Sequence, residues 1–357
     1  MCVVVDVGPA GGLLHREAWV REVRRRLEAR LGRGAWRRHP LRGFAVRRFA
    51  GTRQHALGLD GLRVVHLTDL HVGRVTPMAV QMAAVEIANV HRPDLVVVTG
   101  DFVCHSQLYL DELTEVISAI EAPVVTVLGN HDYWSGAREV RWALRRAGAE
   151  VLDNAHTTLE LRPGQRLQLV GLDDAYTGHA DWRRATRGLR RDLPSLGLSH
   201  IAEEAEALWH AGVSMVLAGH THAGQVTLAR LHEIAIGKVA GHRYVHGLYG
   251  CRETAGRGRA VYVGAGVGAA VVPLRLGERG RREVTVFELG AEPGALPEPL
   301  PVQQPLPGRA PDPRKLYRRH ARVVEKELRR QRGGLVRLLG ARRAGGASPR
   351  DPEEAAE

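Results

Sequence analysis

Cysteine is scarce in this chain. Only Cys2, Cys104 and Cys251 occur in 357 residues. That is too few for a disulfide framework, and no Cys-x-x-Cys pair is present to hold zinc. Long apolar runs are also missing. The stretch 95–98 is short and 261–273 is broken by glycines, so nothing approaches the ~20 residues of a membrane span. Residues 1–12 contain one acid, no base and no apolar segment long enough for export, so the expected address is the cytoplasm. Lysine is almost absent, with Lys238, Lys315 and Lys326 alone among 51 basic side chains. What remains is ample for a globular protein. At 44% hydrophobic and 25% charged residues the chain can bury a sizeable core, which excludes global disorder. Its length suits one large α/β domain with appendages.

The formal net charge of +12 is unevenly placed. Residues 1–60 carry 13 Arg against 5 acids, and residues 291–357 carry 14 basic against 9 acidic side chains. Between them, residues 61–290 balance 24 basic with 25 acidic groups. A nucleic-acid enzyme would more often carry its excess on the catalytic domain, so nucleic acid is not the expected partner. The same breaks suggest boundaries: a basic extension over 1–60 with an amphipathic helix at 16–31, a domain at 61–290, an extended linker at 291–313, and a basic helix with a disordered tail at 314–357. The linker assignment rests on eight prolines between 293 and 313. Both flanking helices combine Arg with apolar stripes and an aromatic, Trp19 or Tyr317. That is the pattern of helices lying peripherally on an anionic membrane face.

The central region alternates strand and helix. Strands are expected at 62–67, 95–98, 124–128, 196–198 and 214–217, with helices at 77–90, 110–120, 137–147 and 201–211. That order implies mostly parallel pairing with right-handed crossovers. Further strands near 167–170, 244–249, 259–263 and 283–287 lack intervening helices, which predicts mixed pairing there.

The residues that follow the strands carry the functional signal. Asp69 and His71 follow the first, Asp101 the second, and Asn130, His131 and Asp132 the third; His200 follows the fourth, His220 and His222 the fifth. Parallel strands share a C-terminal edge, where open α/β sheets place their sites. Singly, each cluster has an ordinary reading. Gly100-Asp101 and Gly129-Asn130 are turn signatures, His200 could cap a helix, and His220 and His222 could be surface imidazoles. Five such clusters in order on one edge point instead to a metal centre. Asp69, His71, Asp101, Asn130, His200, His220 and His222 are N/O ligands without thiolate, suited to Mn, Fe or Zn. A bridging carboxylate is well suited to hold two ions ~3.5–4 Å apart, and Asp101, alone after the second strand, is the natural bridge.

The ordered set Asp69-Leu-His71, Gly100-Asp101, Gly129-Asn130-His131-Asp132, Ser199-His200 and Gly219-His220-Thr221-His222 resembles the calcineurin-like metallophosphoesterase superfamily over about residues 61–290. GHTHAGQ at 219–225, GLDD at 171–174 and YVHGLY at 244–249 are similar to a bacterial branch containing envelope phosphodiesterases and UDP-2,3-diacylglucosamine pyrophosphatases. The resemblance implies a four-layer αββα sandwich of two mixed sheets flanked by helices. It implies two divalent ions, manganese favoured. Asp69, His71, Asp101 and His222 hold one; Asp101, Asn130, His200 and His220 hold the other. His131 then serves as general acid or charge stabiliser while a metal-bridging hydroxide attacks phosphorus. Candidate substrate contacts are Asp173, His242, Arg243 and Tyr244. Two positions depart from the pattern. Cys104 stands where the family usually has the Asp that orients the catalytic His, leaving that task to Asp132 or another acid. Ala202 stands where a Pro usually follows the second-metal His.

The expected activity is hydrolysis of a phosphodiester or pyrophosphate bond in a lipid-linked or nucleotide-sugar substrate. A nuclease is the alternative enzyme. A metal-free scaffold is the non-catalytic alternative, and it is disfavoured because none of the seven ligands is missing.

Overall fold

The computed structural model describes residues 13–31, 43–104, 106–224, 241–253, 258–269 and 275–307. The first sheet runs β1-β12-β2-β3-β4-β5: Phe44–Ala50, Arg282–Glu288, Arg63–Leu67, Leu95–Thr99, Val124–Val127 and Glu150–Val151. The second runs β10-β11-β9-β8-β7-β6: Gly247–Cys251, Arg259–Val263, Met215–Ala218, Ser195–Leu198, Gln165–Gly171 and Ala155–Arg162. Pairing is parallel for β2-β3-β4-β5 and for β11-β9-β8-β7; β2 with β12, β10 with β11, and β6 with β7 are antiparallel. Both sheets are therefore mixed.

Local sequence explains the central strands. RVVHL, LVVVT and VVTV are β-branched runs buried on both faces, as parallel strands between two layers must be. Successive side chains point to opposite faces. Val64, Leu95, Val97, Val125 and Phe287 meet Leu167, Leu169, Leu196, Leu198, Met215, Leu217 and Tyr262 between the sheets. The alternate set, Val65, Leu67, Val96 and Val98, packs outward. It lies under helices α1 (Leu13–Leu31), α3 (Met78–Val90), α4 (Leu110–Ser118) and α5 (Asn130–Arg146). Val170, Val216 and Ala218 do the same on the other side, beneath α6 (Trp182–Ala185) and α7 (Ala205–His210). The short helix α2, Arg53–Gly58, follows β1. Each fully buried Val or Leu contributes about 1.5–3 kcal/mol of transfer free energy. The four-layer αββα sandwich is thus realised, and the two-sided burial of the strands fixes their C-terminal ends as one rim.

The N-terminal segment is not a detached extension. β1 pairs with β12 over its whole length, from Phe44 opposite Arg282 to Ala50 opposite Glu288. Helix α1 is likewise committed: Val23 and Leu27 are buried in the core, Arg30 pairs with Glu86 at 3.0 Å, and Arg26 reaches Glu121 at 2.9 Å. Val23 and Leu27 are therefore covered by the domain and unavailable to a lipid surface. The proline-rich segment is docked as well. Gln303 N donates to Leu248 O at 2.8 Å, Leu300 is buried, and Glu298 pairs with Arg252 at 2.6 Å. The helix expected near 315–332 and the tail beyond 344 lie outside the described residues, as does Cys2.

Two further elements differ from expectation. The helix foreseen over 201–211 is a 3₁₀ turn, Ala202–Glu204, followed by the short α7. The strand foreseen from 244 begins at Gly247. The Tyr249 hydroxyl accepts from Val245 N and His246 N at 3.0 and 3.2 Å, which folds 244–246 away from the ladder. No described helix is long and apolar enough to cross a membrane.

Candidate metal centre

The loops after β2, β3, β4, β8 and β9 meet at the common rim. Backbone bonds lace the first two together: Asp69 N donates to Gly100 O, His71 N to Asp101 O, and Val72 N to Phe102 O, at 3.1, 2.9 and 2.8 Å. Gly219 N donates to His200 O at 3.1 Å, tying the last two. Among the described residues eight non-glycine positions adopt left-handed φ, and Asp69, His71, Asp101, His220 and His222 are five of them. Such conformations cost free energy and persist where the surroundings hold them, commonly at functional sites. Here they turn five donors toward one point.

Two glycines permit the approach. A Cβ on Gly129 would stand 2.3 Å from Asp101 Oδ1, and one on Gly219 would stand 2.0 Å from Thr68 Oγ1 and 2.4 Å from Asp69 Oδ2. Neither position tolerates a side chain without moving a proposed ligand.

The donors form two groups that meet at Asp101. In the first, Asp69, His71 and His222 have ligand atoms within 4.8 Å of one another. His71 Nε2 is 3.0 Å from His222 Nε2, and His222 Nε2 is 3.4 Å from Asp69 Oδ1. In the second, Asp101, His200 and His220 cluster in the same way. Asp101 Oδ2 is 3.3 Å from His200 Nε2 and 3.6 Å from His71 Nε2, so one oxygen faces both groups. Asn130, 1% exposed, opens α5, and its Oδ1 has no hydrogen-bond partner among the described residues. All seven expected ligands are thus drawn to the rim.

Burial dominates the electrostatics. It pushes the pKa of His71 down to about 3; His222 falls to about 3 through burial and then through Arg275, whose Nη2 is 3.3 Å from His222 Nδ1. His220 is lowered well below its ordinary value by burial and by His200. Burial raises the Asp69 carboxyl. His200 behaves oppositely: burial opposes its charge, but the Asp101 carboxylate pushes it up to about 10. Its Nδ1–H donates to Thr99 O at 2.8 Å, directing Nε2 at Asp101. Neutral imidazoles, buried carboxylates and an unpartnered amide oxygen form a donor set that fits divalent cations.

His131 borders this centre. Its backbone N donates to Asp101 Oδ1 at 2.9 Å, and its ring Nε2 is 4.0 Å from Asp101 Oδ2. The ring packs edge-on against His71 and Trp134, with centroids 4.8 and 4.7 Å away. Asp132 does not orient it. Both Asp132 oxygens are taken by backbone donors, Oδ1 by Phe102 and Val103 N and Oδ2 by Gly129 N, which clamps the Asp101 and Asn130 loops together. Burial and Asp101 push the Asp132 carboxyl up to about 8 despite those donors. Cys104 is the group that stands near His131, within 4.8 Å of its ring nitrogen and of His71.

The candidate substrate contacts separate. His242 lies at the centre, its ring 5.2 Å from that of His220. Asp173 is buried between the Tyr133 hydroxyl and Arg141, where it ties α5 to the end of β7. Arg243 and Tyr244 turn to Glu206 and line a separate 420 Å³ cavity with Trp209, His210 and Arg259. His246, in the same segment, is buried against Glu283 at 2.8 Å. Two aromatics missed in the sequence border the site instead. Tyr176 packs 5.2 Å from His220, and Trp134 lies 5.9 Å from Tyr176. Trp134 was legible in principle, three residues after His131 on the first turn of α5; nothing local marked Tyr176.

The family model described as Calcineurin-like phosphoesterase matches residues 62–224, the span that holds all five loops. The uncharacterized metallophosphoesterase YkuE of Bacillus subtilis (strain 168) is 30% identical over 237 residues, covering 65% of this chain and 80% of that protein. The phosphodiesterase YaeI of Escherichia coli (strain K12) is 31% identical over 233 residues, covering 64% and 82%. The UDP-2,3-diacylglucosamine pyrophosphatase LpxG of Chlamydia muridarum is 25% identical over 217 residues, covering 48% and 66%.

Proposed function

We propose, from the premise that this chain belongs to the calcineurin-like phosphoesterase family and is a metal-dependent phosphoric ester hydrolase, that it works through a dinuclear centre bridged by Asp101. The observation that carries this reading is the position of Asp101 Oδ2, 3.6 Å from His71 Nε2 and 3.3 Å from His200 Nε2. Asp69, His71 and His222 would hold one ion with Asp101; Asn130, His200 and His220 would hold the other. Divalent ions bound there, manganese favoured over iron or zinc, supply an activated water and offset phosphoryl charge. The chain's own residues do the rest. The dry, strained loops keep the donors in place before substrate arrives, so little reorganisation is needed. His131, 13% exposed at its side chain beside Asp101, faces the rim where a leaving oxygen would gain charge, and it donates a proton or hydrogen bond there. Trp134, Tyr176 and His242 wall the approach and limit water.

The favoured substrate is a phosphodiester or pyrophosphate, lipid-linked or nucleotide-sugar in type. The named activities of two relatives, a phosphodiesterase and a pyrophosphatase, support this choice. The nuclease reading stays the alternative: residues 61–290, which hold every proposed ligand, balance 24 basic against 25 acidic groups, and the Arg-rich segment packed on them supplies the basic excess. Contact of the flanks with an anionic membrane, at the cytoplasmic face, would draw on their basic charge, since Val23 and Leu27 of α1 are buried in the domain. A screen of phosphomonoesters, phosphodiesters, nucleotide-sugar lipids and DNA with the manganese-loaded chain tests the proposal. Cleavage of a diester or pyrophosphate supports it; cleavage of DNA alone moves the function to a nuclease, and no cleavage of any ester contradicts it.

A further inference from the structure

Three donors at the mouth of the site have no part in the reading above as a set. Cys104 Sγ, one nitrogen of His131 and one of His71 lie within 4.8 Å of one another. Cys104 is half-buried, at the head of the loop after β3, and His71 is fully buried. The Nε2 of His71 turns to His222 and Asp101, whereas its Nδ1 is buried without a hydrogen-bond partner among the described residues. One imidazole therefore keeps a second donor atom in reserve.

The geometry points to a third metal site, formed by Cys104, His131 and His71 and selective for a thiophilic ion such as zinc. Thiolate donors prefer zinc and its soft relatives over manganese or magnesium, so the site differs in selectivity from the thiol-free centre beside it. Zinc ligands stand about 3.3–3.6 Å apart, given Zn–N of about 2.0–2.1 Å and Zn–S of about 2.3 Å in a tetrahedron. The cluster, spread over at most 4.8 Å, needs a contraction of at most about 1.2–1.5 Å to reach that. Three protein ligands leave a fourth position for water or a phosphate oxygen. Binding releases two protons to solvent, one from the Cys104 thiol and one from His71 Nδ1, which leaves His71 as an imidazolate between two ions. It forms one S–Zn and two N–Zn bonds, with nothing oxidised or reduced. Its consequence for turnover rests on the proposed role of His131. With its ring nitrogen held by zinc, His131 can no longer donate to a leaving group. The site is thus inhibitory: the enzyme runs with a hard ion and stops when zinc is in excess.

The test separates binding from activity. Manganese-loaded full-length chain is titrated with cadmium as a spectroscopic stand-in for zinc. Ultraviolet absorption reads the thiolate-to-metal charge-transfer band, and dialysis with metal analysis reads stoichiometry. Wild type is expected to take up one further ion per chain with the thiolate band, while keeping its manganese. Cys104→Ser and Cys104→Ala should keep the manganese and their thermal transition but lose the band and the extra ion. Loss of an outer partner already weakens metal binding by about 10–100-fold, so loss of the thiolate should raise the zinc concentration for half-inhibition at least about tenfold. A wild type without the band, or variants that take up the third ion unchanged, would overturn the site. A band and third ion without inhibition would leave the metal site standing and remove the role assigned to His131.

Discussion

Asp101 Oδ2 lies 3.3 Å from His200 Nε2, and both groups are fully out of solvent. In the metal-free protein this pair shares a proton, with Asp101 held well below the usual carboxylate range and His200 pushed up to about 10. The folded pKa of His200 thus stands above its unfolded value of about 6.5. Its stabilisation is complete below about pH 6.5 and is lost as pH rises through about 10. The melting temperature of metal-stripped protein should fall across that window. Cations take the place of the proton, so the loaded protein should show a much flatter profile and bind its metal more tightly as pH rises. Thermal melts of both forms between pH 6 and 10 check this; identical slopes would contradict it.

His131 is expected to act on the reaction and not on the ions. His131→Ala should keep its metal content and lose about 10²–10⁴-fold in turnover. The loss should shrink for aryl esters, whose leaving groups need no proton. Steady-state rates on paired aryl and alkyl esters decide this, and an equal loss on both would count against proton donation.

Gly129 is a purely steric requirement, because its φ of −114° is open to any residue. A methyl there would press on Asp101 Oδ1 from 2.3 Å. Gly129→Ala should cost about 1–3 kcal/mol of stability and release metal. Denaturant titration and metal analysis of the variant read both effects; full metal occupancy would refute the close approach.

Helix α1 is expected to behave as core. Leu27, 2% exposed, packs in the cluster under the first sheet. Leu27→Ala should destabilise the protein by about 2–5 kcal/mol. It should leave attraction to anionic vesicles, which rests on charge, unchanged at low salt and absent at high salt. Vesicle sedimentation across salt, with a denaturation curve, tests both halves. A stable Leu27→Ala that no longer binds vesicles would put the helix on the membrane instead.

The strands that carry the site were legible because each is a short, mostly apolar run followed by a carboxylate, amide or imidazole. Asp69, Asp101, Asn130, His200 and His220 were found on that pattern alone. β1 was not, because Arg47 and Arg48 interrupt its apolar alternation. Arg47 is buried and paired with Glu283 at 2.7 Å, a partner 236 residues away that no local reading supplies. The same limit applies to Arg243 and Tyr244, whose side chains follow Glu206 away from the rim. Asp132 reads as a fourth polar group in a site motif. Only the backbone donors around it reveal a clamp between loops.

The central claim is that one carboxylate serves two ions, and the ion count of two variants tests it most directly. Metal analysis after manganese loading should give two ions per wild-type chain, none bound tightly in Asp101→Ala, and one in His222→Ala. An Asp101→Ala protein that is folded and still holds two ions would contradict the bridge and the dinuclear account built on it.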